Sequence, residues 1–230
     1  MLMEATFKKM GKFFKLITSL HQSTRRNYLD RMVNAKVKCM KKARKFEFDY
    51  WDGKRNYGYG GYNYIPGRWA GVAKKLIKKY KLNNNSSVLD VGCGKGFLLF
   101  EMKKILPGLR VSGFDISKHG IKNSKKEIKK YLFIHNVKKK FPFKNKSFNL
   151  VMTFACLHNL KLPDLVYSLK EIERVGKKKY VMVEGYRNEK ELFNLQCWAL
   201  TAESFYDDQE WKWIFKYSKY TGDYEFIYFE

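Results

Sequence analysis

No stretch of this 230-residue chain approaches the roughly 18 uninterrupted apolar residues that a membrane-spanning helix needs. The apolar stretch 13–20 is short, is interrupted by Lys15 and lacks a small-residue cleavage site, which argues against an export signal. Cysteine is sparse. Cys39, Cys93, Cys156 and Cys197 lie far apart with no C-x-x-C pair, so the pattern supports neither a structural zinc site nor a disulfide framework. The expectation is a protein of the reducing cytoplasm that holds no metal. No repeat of 20–50 residues is visible, which sets aside solenoids and propellers. Arginine is scarce as well: nine residues against 38 lysines.

What the chain has in excess is positive charge, a formal +25. Such a charge invites a polyanionic partner, RNA above all. Lysine, asparagine, isoleucine, phenylalanine and tyrosine are also abundant together, which is the usage an AT-rich coding sequence produces whatever the function. The residue best suited to bidentate phosphate and base recognition is the scarce one. Apolar residues at 45% and charged residues at 30% describe a globular protein of one α/β domain plus an extension.

Two regions of different character follow one another. In the first, Phe7, Met10, Phe13, Phe14, Ile17 and Leu20 fall at helical spacing among lysines, which predicts a basic amphipathic helix over 7–20. Such a helix packs on its own protein or a sister subunit, or lies on a membrane surface. A second basic helical stretch covers about 25–45. Residues 46–69, FEFDYWDGKRNYGYGGYNYIPGRW, then interleave glycines with aromatics and read as a structured lid. From residue 87 strands alternate with helices: 87–91, 110–114, 131–134, 149–154 and 179–184 read as strands, and 97–105, 121–130 and 162–175 as helices. This alternation predicts a mostly parallel sheet with helices on both faces. The final run, 223–229, alternates like an antiparallel edge strand. The division expected is 1–69 as basic extension and lid, and 70–230 as core.

The first strand ends Val88-Leu89-Asp90-Val91-Gly92-Cys93-Gly94-Lys95-Gly96-Phe97. Three glycines at every second position allow a sharp turn and a close ligand approach. The spacing is one residue shorter than a dinucleotide fingerprint, and Asp90 would suit an ammonium group better than a pyrophosphate. The second strand ends Ser112-Gly113-Phe114-Asp115-Ile116-Ser117, which puts a carboxylate about 20 residues beyond the turn, the residue type that accepts two ribose hydroxyls. These stretches resemble the class I S-adenosylmethionine-dependent methyltransferase family, most closely the branch that methylates small molecules. The resemblance spans about 70–184 and continues through Phe141–Val151, Cys156–Leu160 and Leu169–Val175.

The resemblance implies a Rossmann-like fold with a seven-strand type of sheet and S-adenosylmethionine as cofactor. It implies that Asp90 meets the amino group of the methionine moiety, that Gly92, Cys93, Gly94 and Gly96 wrap the cofactor, that Asp115 holds the ribose and Ile116 the adenine. Asn136 matches a position where the family more often has Asp to meet the adenine amine. Asn149 also replaces a common Asp, in what reads as a structural hydrogen bond. Gly176-Lys177-Lys178 stands where a Pro-Gly turn is usual.

Methyl transfer is chiefly a matter of positioning, with a base needed only when the acceptor must lose a proton. His158, after the fourth strand, and Glu184, at the tip of the fifth, are the candidate bases; each also has a purely structural reading. His21, His119 and His135 show no partner spacing. Tyr57, Tyr59, Tyr62 and Tyr64 could offer π-faces and hydroxyls to an acceptor, and Arg68 with Trp69 a carboxylate site, or these aromatics could form a minor core. Phe193, Trp198, Phe205, Tyr206, Trp211 and Trp213 supply either the other pocket wall or a homodimer contact. The reading is a cytoplasmic methyltransferase of a small polar metabolite, sugar-derived or amino-acid-like. An RNA methyltransferase using the basic extension is one alternative, and an inactive cofactor-binding module another.

Overall fold

In the computed structural model, which describes residues 10–24 and 26–230, six strands form one sheet of order β3-β2-β1-β4-β5-β6. The strands are β1 (Ser87–Val91), β2 (Arg110–Asp115), β3 (Leu132–Ile134), β4 (Phe148–Phe154), β5 (Gly176–Glu184) and β6 (Asp223–Ile227). Every neighbouring pair runs parallel. The extension contributes α1 (Thr18–Gln22), α2 (Tyr28–Val33), α3 (Lys36–Ala43) and α4 (Phe48–Trp51). The remaining helices are α5 (Ala70–Tyr80), α6 (Phe97–Ile105), α7 (Lys118–Lys122), α8 (Lys126–Lys129), α9 (Leu162–Val175), α10 (Glu189–Trp198) and α11 (Asp208–Tyr217).

The strands are apolar runs because helices cover both faces of a parallel sheet. One face packs Val88, Leu150, Met152 and Tyr180 against α5 and α6 through Leu76, Leu98 and Met102. The other packs Leu89, Val91, Val151 and Val181 against α9 and α11 through Leu169, Ile172, Trp211 and Phe215. Helix starts are locally encoded: Asn188 accepts from the N–H of Glu191, and Asp207 with Glu210 forms a capping box at α11. Since all six strands are parallel, all their C-terminal ends lie along one side of the sheet. Strand order reverses between β1 and β4, the switch point where such sheets bind ligands.

Three expectations give way. The described sheet has six strands instead of seven. The last strand is parallel to β5, because α10 and α11 carry the chain back before it enters. The helix expected over 7–20 is absent from its described part, residues 10–20 apart from the start of α1 at Thr18; Phe7 lies outside the described residues. There the chain runs along the exposed edge of β6, where Phe14 N–H donates to Tyr224 O at 2.9 Å and Tyr224 N–H to Lys12 O at 3.1 Å. Edge-strand groups left unpaired outcompete a helix of modest propensity. The buried Glu225 carboxylate fixes the register by accepting from the N–H groups of Leu16 (2.8 Å), Ile17 (3.0 Å) and Thr18 (2.9 Å), and from the Tyr180 hydroxyl. The basic helical stretch over about 25–45 forms as two helices, α2 and α3, separated at Ala35 with φ of 51°.

Candidate active site

β1 runs into the glycine turn. Gly92, Gly94 and Gly96 all have left-handed backbones, with φ of 73°, 55° and 69°. At Gly92 a Cβ would come within 2.6 Å of the Cys156 Sγ, so both backbone and space demand glycine. Asp115, at the tip of β2, braces the turn: its carboxylate accepts from Gly94 N–H and from Ser117 N–H, each at 2.8 Å. Burial pushes the Asp115 carboxyl up, against the pull of these N–H groups. Asn149 does what a carboxylate would do beneath β1, accepting from Ser87 N–H at 2.9 Å and from the Ser87 hydroxyl at 3.0 Å.

A cleft of about 460 Å³ opens above the strand ends. Asp90, Gly92 and Cys93 form part of its floor, His158 and Glu184 one wall, and Tyr59, Tyr62, Arg68 and Trp69 another. Asp90 is 4% exposed, and its carboxylate has no hydrogen-bond or ion-pair partner in the described chain. Burial, and secondarily Asp115, raises it to about 8. A buried carboxylate that faces a cleft without a counter-charge is fitted to a cationic ligand.

His158 and Glu184 meet across the ends of β4 and β5. The Glu184 N–H donates to His158 Nδ1 at 3.2 Å, and the Glu184 carboxylate lies 3.5 Å from His158 Nε2. With its Nδ1 lone pair engaged, the neutral ring carries its proton on Nε2, which points at that carboxylate. Burial holds His158 below its ordinary value, and Glu184 offsets this only in part.

Residues 46–69 are latched to the ends of β1 and β2. Asp52, which follows α4, accepts from Lys95 in the glycine turn at 2.7 Å and bonds His119 Nε2 at 2.6 Å. Burial works to raise the Asp52 carboxyl, but these partners outweigh it and leave it low. Glu47 accepts from the N–H groups of Lys118 and His119, and Trp51 Nε1 donates to the Ser117 hydroxyl at 2.9 Å. Trp51 stacks on Tyr59 at 5.3 Å, and Tyr62 on Phe97 at 5.3 Å.

The expected residues are therefore gathered unevenly. Asp90, Gly92, Cys93, His158, Glu184, Tyr59, Tyr62 and Arg68 line one cleft. Gly94 lies beneath Trp51, and Gly96 starts α6. Asp115, half-exposed Ile116 and Asn136, whose Oδ1 accepts from Lys138 N–H, lie outside the cleft wall on the β2–β3 side. Tyr57 packs instead toward Cys39, Ala43 and Leu200, and Tyr64 bonds Glu101 over Phe97 and Phe100. Of the six later aromatics, Trp198 joins the cleft wall while Trp211 is buried in the core. Sequence reasoning missed Arg26, Arg31 and Arg55, which share that wall with Trp198. The signal was present: six of the nine arginines precede residue 70.

A parallel sheet with a three-glycine turn after β1, a carboxylate tipping β2 and a cleft at the switch point is the architecture of a nucleoside-binding α/β protein. A family model described as a methyltransferase domain matches residues 82–222, and the chain belongs to that family, the class I S-adenosylmethionine-dependent methyltransferases. S-adenosylmethionine is thereby its cofactor. The demethylmenaquinone methyltransferases of Chlorobaculum tepidum and Chlorobaculum parvum are each 33% identical over 114 residues, covering 49% of this chain and 46% of theirs. The chain thus spans about half the length of the curated relatives it matches. Among solved structures, the YcgJ protein of Bacillus subtilis superposes with a TM-score of 0.50 at 16% identity, over 64% of this chain and 66% of that one. Geranyl diphosphate C-methyltransferase of Streptomyces coelicolor, solved with S-adenosyl-L-homocysteine, gives 0.50 at 15% identity over 62% and 55%. Both likenesses are likenesses of fold.

The residues present fit the cofactor at its methionine end: Asp90 supplies an unpartnered carboxyl group, which a bound ammonium group would hold ionised, and Gly92 bare backbone. Arg68, Tyr62 and Asp90 all line this cleft. Among the described residues no helix is long and apolar enough to cross a membrane, and no group of three or more His, Cys, Asp or Glu is placed to hold a metal ion.

Proposed function

We propose that this protein transfers a methyl group to a small polar molecule held in the cleft between the glycine turn and Glu184. When bound, S-adenosylmethionine supplies an electrophilic methyl group and leaves as S-adenosylhomocysteine. Asp90 holds the cofactor's ammonium group, Arg68 its carboxylate, and Gly92, Cys93, Gly94 and Gly96 the backbone surface it lies on. Asp115 receives the ribose hydroxyls, and Ile116 and Asn136 the adenine. Glu184 takes the proton released where an acceptor N–H or O–H is methylated, and His158 holds that carboxylate in position through Nε2–H. Residues 1–69 act as extension and lid, and 70–230 as the transferase core.

The observation that carries this reading is the pair of carboxylates, buried Asp90 and partly buried Glu184, facing one cleft from either side of β4. A volume of about 460 Å³ suits a metabolite. The curated relatives are named for demethylmenaquinone, which supports a small-molecule acceptor over RNA. The RNA alternative rests on net charge, which constrains function loosely.

The test is calorimetric titration of S-adenosylhomocysteine into the full chain, followed by a metabolite screen with methyl-labelled donor. Saturable binding that Asp115→Ala weakens strongly supports the site. Equal affinity in that variant removes it, and label appearing in RNA but in no metabolite overturns the acceptor class.

A further inference from the structure

The wall of the cleft beyond Glu184 is built from three arginines around one indole. The Arg31 guanidinium lies 3.9 Å from the centre of the Trp198 ring, Arg55 5.2 Å and Arg26 5.3 Å. Each is held by backbone carbonyls. Arg31 donates to Arg55 O at 2.8 Å and to Gly58 O at 3.2 Å, Arg55 to Gly58 O at 2.8 Å, and Arg26 to His21 O and Thr24 O, both at 3.0 Å. Among the described residues none of the three makes an ion pair, and the Arg26 Nε is buried with no hydrogen-bond partner. Burial holds all three below the ordinary arginine value, Arg31 at about 10; repulsion from Arg55 adds to this at Arg31, while at Arg26 the Glu184 carboxylate pulls the other way. Backbone carbonyls satisfy part of each guanidinium, but no carboxylate of the described residues closes on any of the three, and an anion entering the cleft would meet all of them.

Position says which ligand the anion belongs to. The cofactor's expected contacts occupy β1, β2 and β3, and its own carboxylate has Arg68. The arginines stand on the far side: Trp198 ends α10, which follows β5, and Arg26 lies 5.5 Å from the ring of Phe229, which follows β6. Arg26, Arg31, Arg55 and Trp198 also line an adjoining recess of about 170 Å³ with Asn27, Asn34 and Asn56. The one carboxylate in that recess, Asp30, is engaged by the Asn34 amide.

We infer that the methyl acceptor is an anionic small molecule whose phosphate or carboxylate group docks on Arg26, Arg31 and Arg55, with the atom to be methylated directed toward Glu184. This rests on the proposed function, which it narrows from a polar acceptor to an acidic one. Trp198 gives the guanidiniums a fixed face to stack on, so the site is formed before the anion arrives. The rest of the acceptor spans from the arginines to Glu184 across the cleft.

Inorganic pyrophosphate and benzoate are titrated calorimetrically into the full chain, each with and without S-adenosylhomocysteine. One saturable site is expected, and Arg55→Gln, which keeps an amide donor for the Gly58 carbonyl and is checked for folding by circular dichroism, weakens it roughly tenfold or more, the effect of losing a charge-assisted hydrogen bond. Arg31→Gln does the same where the protein remains folded by circular dichroism. Lys177→Gln/Lys178→Gln, which removes charge at the opposite end of β5, leaves the affinity unchanged. Tighter pyrophosphate binding identifies a phosphorylated acceptor, and tighter benzoate binding a carboxylic one. Absence of saturable binding to the parent chain, or equal affinity in Arg55→Gln, overturns the inference. S-adenosylhomocysteine titrated in the same series reads the methyltransferase proposal separately: anion binding without nucleoside binding leaves this site standing and removes that one.

Discussion

Trp51 rests its indole on Gly94: a methyl group at that glycine would lie 2.6 Å from the Trp51 Cη2 atom. The contact joins α4 to the glycine turn at the point where Asp115 and Lys95 also hold it. Gly94 is thus constrained twice, by a neighbour and by its φ of 55°.

Gly94→Ala consequently loses stability by about 1–2 kcal/mol from left-handed backbone strain alone. It also displaces the indole. The expected result is a lower denaturant midpoint, a shift in tryptophan emission and weaker S-adenosylhomocysteine binding. Parental stability and emission would show that the lid does not sit on the turn.

Glu225→Ala tests what ties the extension to the core. The substitution strands the N–H groups of Leu16, Ile17 and Thr18 and the buried Tyr180 hydroxyl without their acceptor. Leaving several buried donors unsatisfied destabilises by about 3 kcal/mol or more. A fall in Tm with early proteolysis near residues 10–17 is expected. Unchanged protection of that segment would contradict the edge pairing along β6.

The contrast between the β1 turn and this segment explains what the sequence could disclose. The turn and the strands between 87 and 184 are written locally, in glycine spacing and apolar runs, and they form where they are read, whereas the direction of the last strand is set by the path of α10 and α11. Residues 10–17 carry a helical period, yet their conformation is decided by Glu225 and Tyr224, over 200 positions away. Tyr59 and Tyr62 face the cleft while Tyr57 and Tyr64 face away, a sorting made by the lid's path and not by composition. Arg31 meets Trp198 across 167 residues, so nothing near either one announces a shared site.

Asp90 makes the free protein sensitive to pH. Its folded value, raised to about 8 from an ordinary 3.8, means that the folded state binds more protons than the unfolded state between these limits. The associated stability is fully present below about pH 4 and is lost as pH rises toward 8, at up to about 1.4 kcal/mol per pH unit. Asp90→Asn should therefore equal the parent at pH 4 and exceed it in denaturant stability at pH 8, while binding S-adenosylmethionine poorly at both. In the parent, cofactor affinity should rise from pH 6 to 8 as the carboxylate ionises. A flat profile would place the ammonium group elsewhere.

The last prediction separates the two candidate bases. His158 Nδ1 is occupied by the Glu184 N–H, and burial keeps the ring neutral through the physiological range, so its remaining function is to donate from Nε2 toward Glu184. A carboxylate positioned in this way can accept a proton, whereas the ring has no free lone pair facing the cleft. Glu184→Gln should lower kcat by about 10²–10⁴ if the acceptor releases a proton, with S-adenosylhomocysteine affinity unchanged. His158→Gln retains an amide donor and should lower kcat less than His158→Ala does. Because folding depresses the histidine value, His158 also contributes stability above about pH 6.5 that is lost as pH falls, and His158→Gln should flatten this acid limb. A His158→Gln enzyme as slow as Glu184→Gln, with the acid limb of stability intact, would return the proton-accepting role to the imidazole.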